Sequence, residues 1–251
     1  MVAHILIVGG NRGIGLGLVK EALKRDSTSV VFATARDVSK ADSLKALEKE
    51  YPGRLVPVAV DMIDESTISA AVKDVKKHTA TLDTIIINAG ILLGEGRVQD
   101  LAAKDLLDNL NGNIVGPHNI TKAFSPLLVA NKAEKKTLIY ISSLVGSLAA
   151  LPQVIPFMKN MYKTDYLPVA AYSATKTGLN MIGRQWAESL EKDGVTVLLV
   201  HPGAVATEMN TGDDLITVEE SAKGVWDVAA KAELADGQKG IHSYDGTVAP
   251  W

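Results

Sequence analysis

Short runs of β-branched and other apolar residues recur along the chain. They are separated by longer stretches in which apolar positions return every three or four residues. The short runs read as strands over 5–8, 30–33, 55–60, 84–88, 138–141 and 195–201. Several are apolar at consecutive positions, as in Ile85-Ile86-Ile87, the pattern of strands covered on both faces. The longer stretches read as helices over 14–25, 41–51, 65–78, 101–130, 170–192 and 218–231. Regular alternation of the two predicts βαβ units around a parallel sheet in one doubly wound α/β domain, with no internal repeat or linker. Residues 144–169 and 206–217 break the rhythm. Both follow strand carboxyl ends, the edge where open α/β sheets bind ligands, although loops there can also merely connect.

Composition narrows the function classes. With 251 residues the chain suits a single core. Lys and Arg number 26 against 29 Asp and Glu, a net charge of −3, so neither nucleic acid nor a membrane surface is an expected partner. There is no cysteine, which excludes disulfides, thiolate metal sites and a cysteine nucleophile. Met1 leads almost directly into the first apolar run, and the apolar region 144–158 is broken by Pro152 and Pro156. Neither a signal segment nor a membrane span is therefore expected, and the location expected is cytoplasmic. The five histidines show no close metal-ligand spacing, so no metal is expected.

The first strand runs into Gly9-Gly10-Asn11-Arg12-Gly13-Ile14-Gly15-Leu16-Gly17. A tight turn with backbone N–H groups open to a pyrophosphate needs residues without a Cβ at a helix N-terminus. The spacing G-x-G-x-x-G fails here, and G-x-x-x-G-x-G through Gly9, Gly13 and Gly15 fits. After the second strand, Ala35 stands where an NAD site usually carries an acid, and Arg36 follows. Arg12 and Arg36 together suit the 2′-phosphate of NADP, clamped bidentately. The competing reading is a pair of surface arginines, one of them paired with Asp37.

Tyr172-Ser173-Ala174-Thr175-Lys176 places Tyr172 and Lys176 one turn apart on a helical face. A free tyrosine titrates at about 10, and an adjacent ammonium favours phenolate. Y-x-x-x-K alone is common by chance; its context here is specific. Ser142-Ser143 ends the fifth strand, Asn113 lies in the helix before it, Asn88-Ala89-Gly90 ends the fourth strand, and Pro202-Gly203-Ala204-Val205-Ala206-Thr207 follows the sixth.

On these residues the chain resembles the short-chain dehydrogenase/reductase family over nearly its whole length. The resemblance implies one Rossmann domain over residues 1–251, with a mostly parallel seven-stranded sheet flanked by helices. It implies NADP(H) bound by Gly9, Asn11, Arg12, Gly13, Ile14, Gly15, Arg36, Asp61, Met62, Asn88, Ala89, Gly90, Tyr172, Lys176, Pro202, Gly203, Val205 and Thr207. The catalytic tetrad it implies is Asn113, Ser143, Tyr172 and Lys176. In that scheme Tyr172 protonates a carbonyl oxygen, Lys176 holds the ribose and lowers the tyrosine's pKa, Ser143 orients the carbonyl, and Asn113 anchors a water. Two positions depart from the pattern: Val8 stands for a threonine and Ile87 for an asparagine, both of which brace the cofactor loop and central strand. The endings His201–Met209 and Tyr244–Trp251 resemble the sniffer and C-factor type of carbonyl reductase, although 29 positions separate Ser143 from Tyr172, an unusually long stretch.

That stretch holds Leu144, Val145, Leu148, Leu151, Val154, Ile155, Phe157, Met158, Met161, Tyr162 and Tyr166. If they line a pocket, the substrate is an apolar ketone, aldehyde or quinone; if not, they pack on the body or on a second subunit. His201 and Trp226 read as structural, and Asp213 and Asp214 as solvated loop residues. The expectation is an NADPH-dependent carbonyl reductase; the resemblance implies a homodimer paired through helices 101–130 and 170–192, against which stands the segment inserted before 170, which could block that surface, so the oligomeric state stays open. An NADP-binding regulator with little turnover and a secondary-alcohol dehydrogenase working oxidatively remain open.

Overall fold

The computed structural model describes residues 3–25, 27–210, 212–213 and 215–251. The strands are β1 (Ala3–Val8), β2 (Thr28–Ala35), β3 (Leu55–Ala59), β4 (Thr84–Ile87), β5 (Lys136–Ile141), β6 (Val195–His201), β7 (Ile241–Ser243) and β8 (Val248–Ala249). They form one sheet in the order β3-β2-β1-β4-β5-β6-β7-β8, parallel throughout except for the β7–β8 pair. The sheet among the described residues thus has eight strands, not seven. The extra strand is a two-residue ladder returning from the Asp245-Gly246 turn, too short to show a hydrophobic period.

The helices are α1 (Gly13–Leu23), α2 (Asp42–Glu50), α3 (Glu65–Lys76), α4 (Ala103–Leu110), α5 (Gly116–Ala130), α6 (Leu151–Tyr162), α7 (Ala170–Glu191) and α8 (Val218–Lys231). They cover both faces of the sheet, which explains the continuously apolar strands. On one face Leu18, Val19 and Ala22 of α1 meet Val225, Trp226 and Ala229 of α8 over Ile5, Ile7 and Val31. The Trp226 indole N–H donates to the Leu18 carbonyl at 3.1 Å, so Trp226 is a packing residue. On the other face Ile120, Phe124 and Leu128 of α5 and Leu179 of α7 cover Leu6, Ile85, Leu138 and Tyr140.

Two predicted elements differ. The helix over 101–130 is broken: α4 and α5 are joined by a π-helical turn, Asn111–Val115. The segment 144–169 is not irregular throughout but contains α6. Pro152 sits in the first turn of α6, where its missing N–H costs nothing, and Pro156 lies inside the helix. Lys163 closes α6 in the left-handed region, φ 52°, with Thr164 N–H donating to the Lys159 carbonyl. No described helix is long and apolar enough to cross a membrane.

Candidate active site

The glycine loop joins β1 to α1 at the carboxyl edge of the sheet. Gly9 (φ 80°) and Gly13 (φ 52°) adopt the left-handed backbone that side chains disfavour. Gly15 is excluded from substitution by space: a Cβ there would lie 1.9 Å from the Gly9 carbonyl oxygen. The residue preceding α1, Arg12, is extended and makes no side-chain cap, so the first N–H groups of α1 are not met by its side chain. That is the donor set a pyrophosphate takes at a helix N-terminus. Arg36 is exposed at the end of β2, the neighbour of β1. The neighbouring Asp37 carboxylate accepts from the Ser39 N–H and hydroxyl and pairs with Lys40, so it is not Arg36's partner. Asp61 and Met62 follow β3 at the same edge; Asp61 accepts from the Ile63 N–H at 3.1 Å, and Met62 packs on Gly116.

The tetrad residues come from three places: the π turn, the residue that opens the turn after β5, and α7. Asn113 is buried at the centre of the π turn. Its Oδ1 accepts from the Ile91 N–H, and its Nδ2 donates to the Ile91 carbonyl and the Thr175 hydroxyl, at 2.8, 2.8 and 3.0 Å. The side chain thereby pins the chain after Gly90 to the start of α7. A Cβ on Gly90 would lie 3.1 Å from Asn113 Oδ1 and 3.9 Å from Lys176 Nζ, so the glycine keeps the space between them open. Lys176 is buried on α7, donates to the Ile141 carbonyl at 2.7 Å and stands 5.3 Å from the Tyr172 ring centroid. Burial pulls its pKa down to about 8.

Tyr172 behaves differently from the sequence expectation. Burial, with a smaller contribution from Tyr162, pushes its pKa well above the ordinary value. The Lys176 Nζ, 5.3 Å from the ring centroid, does not offset that rise. Tyr172 is therefore held as the protonated phenol, the form that can give a proton away. Of the two serines after β5, Ser142 is spent inside the protein, donating to Asn180 Oδ1 at 2.5 Å. Ser143 opens the turn Leu144–Gly146 with its hydroxyl near the Val145 N–H at 3.4 Å, a contact weak enough to exchange for a ligand.

Ser143 and Tyr172 face a cavity of about 490 Å³. Its apolar side is Leu144, Val145, Val154, Phe157, Met158, Met161 and Tyr162, seven of the residues singled out between Ser143 and Tyr172. Leu148 instead faces solvent, and Tyr166 stacks under Arg97 at 4.4 Å. Ile14, Pro202, Gly203, Val205 and Thr207 line the cavity too, and Thr207 lies 3.5 Å from where a Gly13 Cβ would be. Sequence reasoning missed Gln153, Asn210, Ser243, Asp245 and Thr247, polar groups on the same wall. It also read His201 as structural. His201 lines the cavity with Nδ1 buried and unpartnered, and burial lowers its pKa to about 4, so the ring is neutral. Asp213 is exposed 3.7 Å from Lys163, while Asp214 lies outside the described residues.

Residues 8–229 match the family model described as Enoyl-(Acyl carrier protein) reductase. A short chain dehydrogenase of Penicillium aethiopicum is 34% identical over 211 residues, covering 83% of this chain and 78% of that one. The chain belongs to the short-chain dehydrogenase/reductase family. As such it is an oxidoreductase. Its solved relatives include the NADPH-bound carbonyl reductase from chicken fatty liver, with a TM-score of 0.89 at 30% identity over 100% of this chain and 99% of that one. Carbonyl reductase Sniffer of D. melanogaster aligns with a TM-score of 0.86 at 28% identity over 100% of both chains. The sniffer-type likeness expected from the short phrases is thus present across the fold.

Hydrogen bonds with Thr34 and Asn88 brace the loop beside Val8. The Gly9 N–H donates to the Thr34 hydroxyl at 3.0 Å. Asn88 Nδ2 donates to the Gly9 carbonyl at 3.0 Å, bracing the loop from β4. Ile87 is buried in the core beneath α5.

Proposed function

We infer that this protein reduces an apolar ketone, aldehyde or quinone to an alcohol with NADPH. The observation that carries this reading is that Ser143 and a protonated Tyr172 line one largely apolar cavity together with Ile14 of the glycine loop and Thr207. The residues present fit a dinucleotide: the uncapped start of α1 and Gly9, Asn11, Gly13, Ile14 and Gly15 for the pyrophosphate, and Asp61, Met62, Asn88, Ala89 and Gly90 for the adenosine half. Lys176 suits the ribose next to the nicotinamide, and Pro202, Gly203, Val205 and Thr207 suit the nicotinamide itself. Arg12 and Arg36 would select the 2′-phosphate. When bound, NADPH would supply the hydride that the carbonyl carbon accepts.

The chain's own residues do the rest. Ser143 donates a hydrogen bond to the carbonyl oxygen and orients it. Tyr172 Oη gives its proton to the same oxygen as negative charge develops there. Lys176 supplies positive charge beneath the ring, and Asn113 fixes the backbone that frames the gap beside Lys176. Positioned acid catalysis of this kind contributes about 10²–10⁴ in rate. A binding protein without turnover would have no use for a proton donor at the cavity wall. A cytoplasmic setting and pairing of two copies through α4, α5 and α7 belong to the same proposal.

The test is NADPH consumption against a panel of aromatic aldehydes, diketones and quinones, with NADH in parallel. Turnover with NADPH that falls about 10²-fold or more in Tyr172→Phe, with NADPH binding retained, supports the mechanism. Equal turnover in the variant would remove Tyr172 from the reaction.

A further inference from the structure

The Arg12 guanidinium does not project free into the cofactor cleft. Its Nη1 pairs with Glu208 Oε2, one residue beyond Thr207. Glu208 is held in a tight turn: Thr207 N–H donates to the Asn210 carbonyl and Asn210 N–H to the Thr207 carbonyl, each at 3.1 Å. Just outside it, Ala206 N–H donates to the Ile216 carbonyl at 3.0 Å. The turn lies over the glycine loop, with Thr207 above Gly13. One bond therefore ties the substrate-side turn to the arginine assigned to the 2′-phosphate. The second arginine of that corner, Arg36, has no ion-pair partner among the described residues.

We propose that Glu208 is an internal competitor for Arg12, which a 2′-phosphorylated nucleotide displaces. In doing so the nucleotide releases the tie between the Thr207–Asn210 turn and the glycine loop, so Glu208 sets the affinity for NADP(H). The inference rests on the NADPH reading above. The strengths suit an exchange. Side-chain exposures of 67% for Arg12 and 77% for Glu208 make this a solvated pair, one that shifts an equilibrium by about fivefold at most. A phosphate dianion offers the same planar fork two charge-assisted hydrogen bonds, a stronger claim than a single solvated carboxylate contact. NADH, with a ribose hydroxyl at that position, makes no such claim and leaves the pair closed.

Dissociation constants for NADPH and NADH, read from protein fluorescence with no substrate present, decide the matter for four proteins: wild type, Glu208→Gln, Arg12→Gln and the double variant. Glu208→Gln is expected to bind NADPH about two- to fivefold more tightly with NADH unchanged, and high salt is expected to erase the gain. In the Arg12→Gln background the Glu208→Gln gain should vanish, because the competition acts through that guanidinium. An unchanged NADPH constant in Glu208→Gln, or the same gain with and without Arg12, would overturn the proposal while leaving the reductase reading intact. Wild-type protein that binds both nucleotides alike, with no effect of Arg12→Gln, would overturn the NADPH reading and the competition together.

Discussion

Lys176 is buried with one protein acceptor, the Ile141 carbonyl, and burial pulls its pKa from 10.5 to about 8. The lysine is charged below that value and neutral above it, whereas Tyr172 stays protonated across the same range. Reduction that depends on the ammonium should hold its kcat/KM up to about pH 8 and decline above it, which a pH profile with one good ketone would read. The same shift is a stability statement. In the unfolded chain Lys176 titrates near 10.5, so the folded protein binds fewer protons between pH 8 and 10.5 and gains stability across that window. Below pH 8 the desolvation cost is present in full, on the order of 3 kcal/mol. Lys176→Met should therefore melt at a higher temperature than wild type at pH 7 while losing most reduction, as calorimetry beside an activity assay would show. The i, i+4 spacing was readable in the sequence. Burial was not, and burial reversed the expected direction for Tyr172.

α6 is the element that turns a general fold into a particular pocket. Its inner face offers Val154, Phe157, Met158 and Met161 to the cavity, and Met158 is sealed against Val145 and Val169. Phe157 is 42% exposed, so it lines the cavity without carrying the core. Phe157→Glu is expected to raise KM for apolar ketones about tenfold, the scale of losing one apolar contact surface in a pocket. Its melting temperature should stay near wild type, and its kcat on a small polar aldehyde near unchanged. The apolar residues of this segment were legible, yet the two prolines suggested an irregular stretch. A proline in the first turn does not oppose a helix, and packing over the cavity supports the rest. The π turn at Asn113 left no mark in the hydrophobic period either. It is a local under-winding that aims one side chain at Ile91 and Thr175, and only those partners justify it.

At the scale of the molecule, the sheet order carries the carboxyl ends of β1, β4, β5 and β6 to one edge, and every tetrad residue stands at or against that edge. The helices that cover one face leave apolar side chains outward: Leu107 on α4 is 58% exposed, Val115 in the π turn 43%, and Met181 on α7 61%. A solvated monomer gains nothing from such groups, and pairing of two copies would cover them. Light scattering should give twice the chain mass for wild type and the chain mass for Met181→Glu, with reduction per active site retained. A wild-type monomer would remove the dimer from the proposal.

The sequence by itself determined the alternation of buried strands and amphipathic helices, the glycine loop, the Tyr172–Lys176 pair and the family. These depend on interactions within a few residues: hydrophobic period, turn geometry and one-turn side-chain spacing. Only the tertiary structure decided which groups meet across 60 to 200 positions of chain, because such contacts come from strand order and not from pattern. The buried Nδ1 of His201, the partner of Arg12 and the burial that keeps Tyr172 protonated are of this second kind, whereas the eighth strand was missed because its two-residue hairpin ladder is too short to show a period.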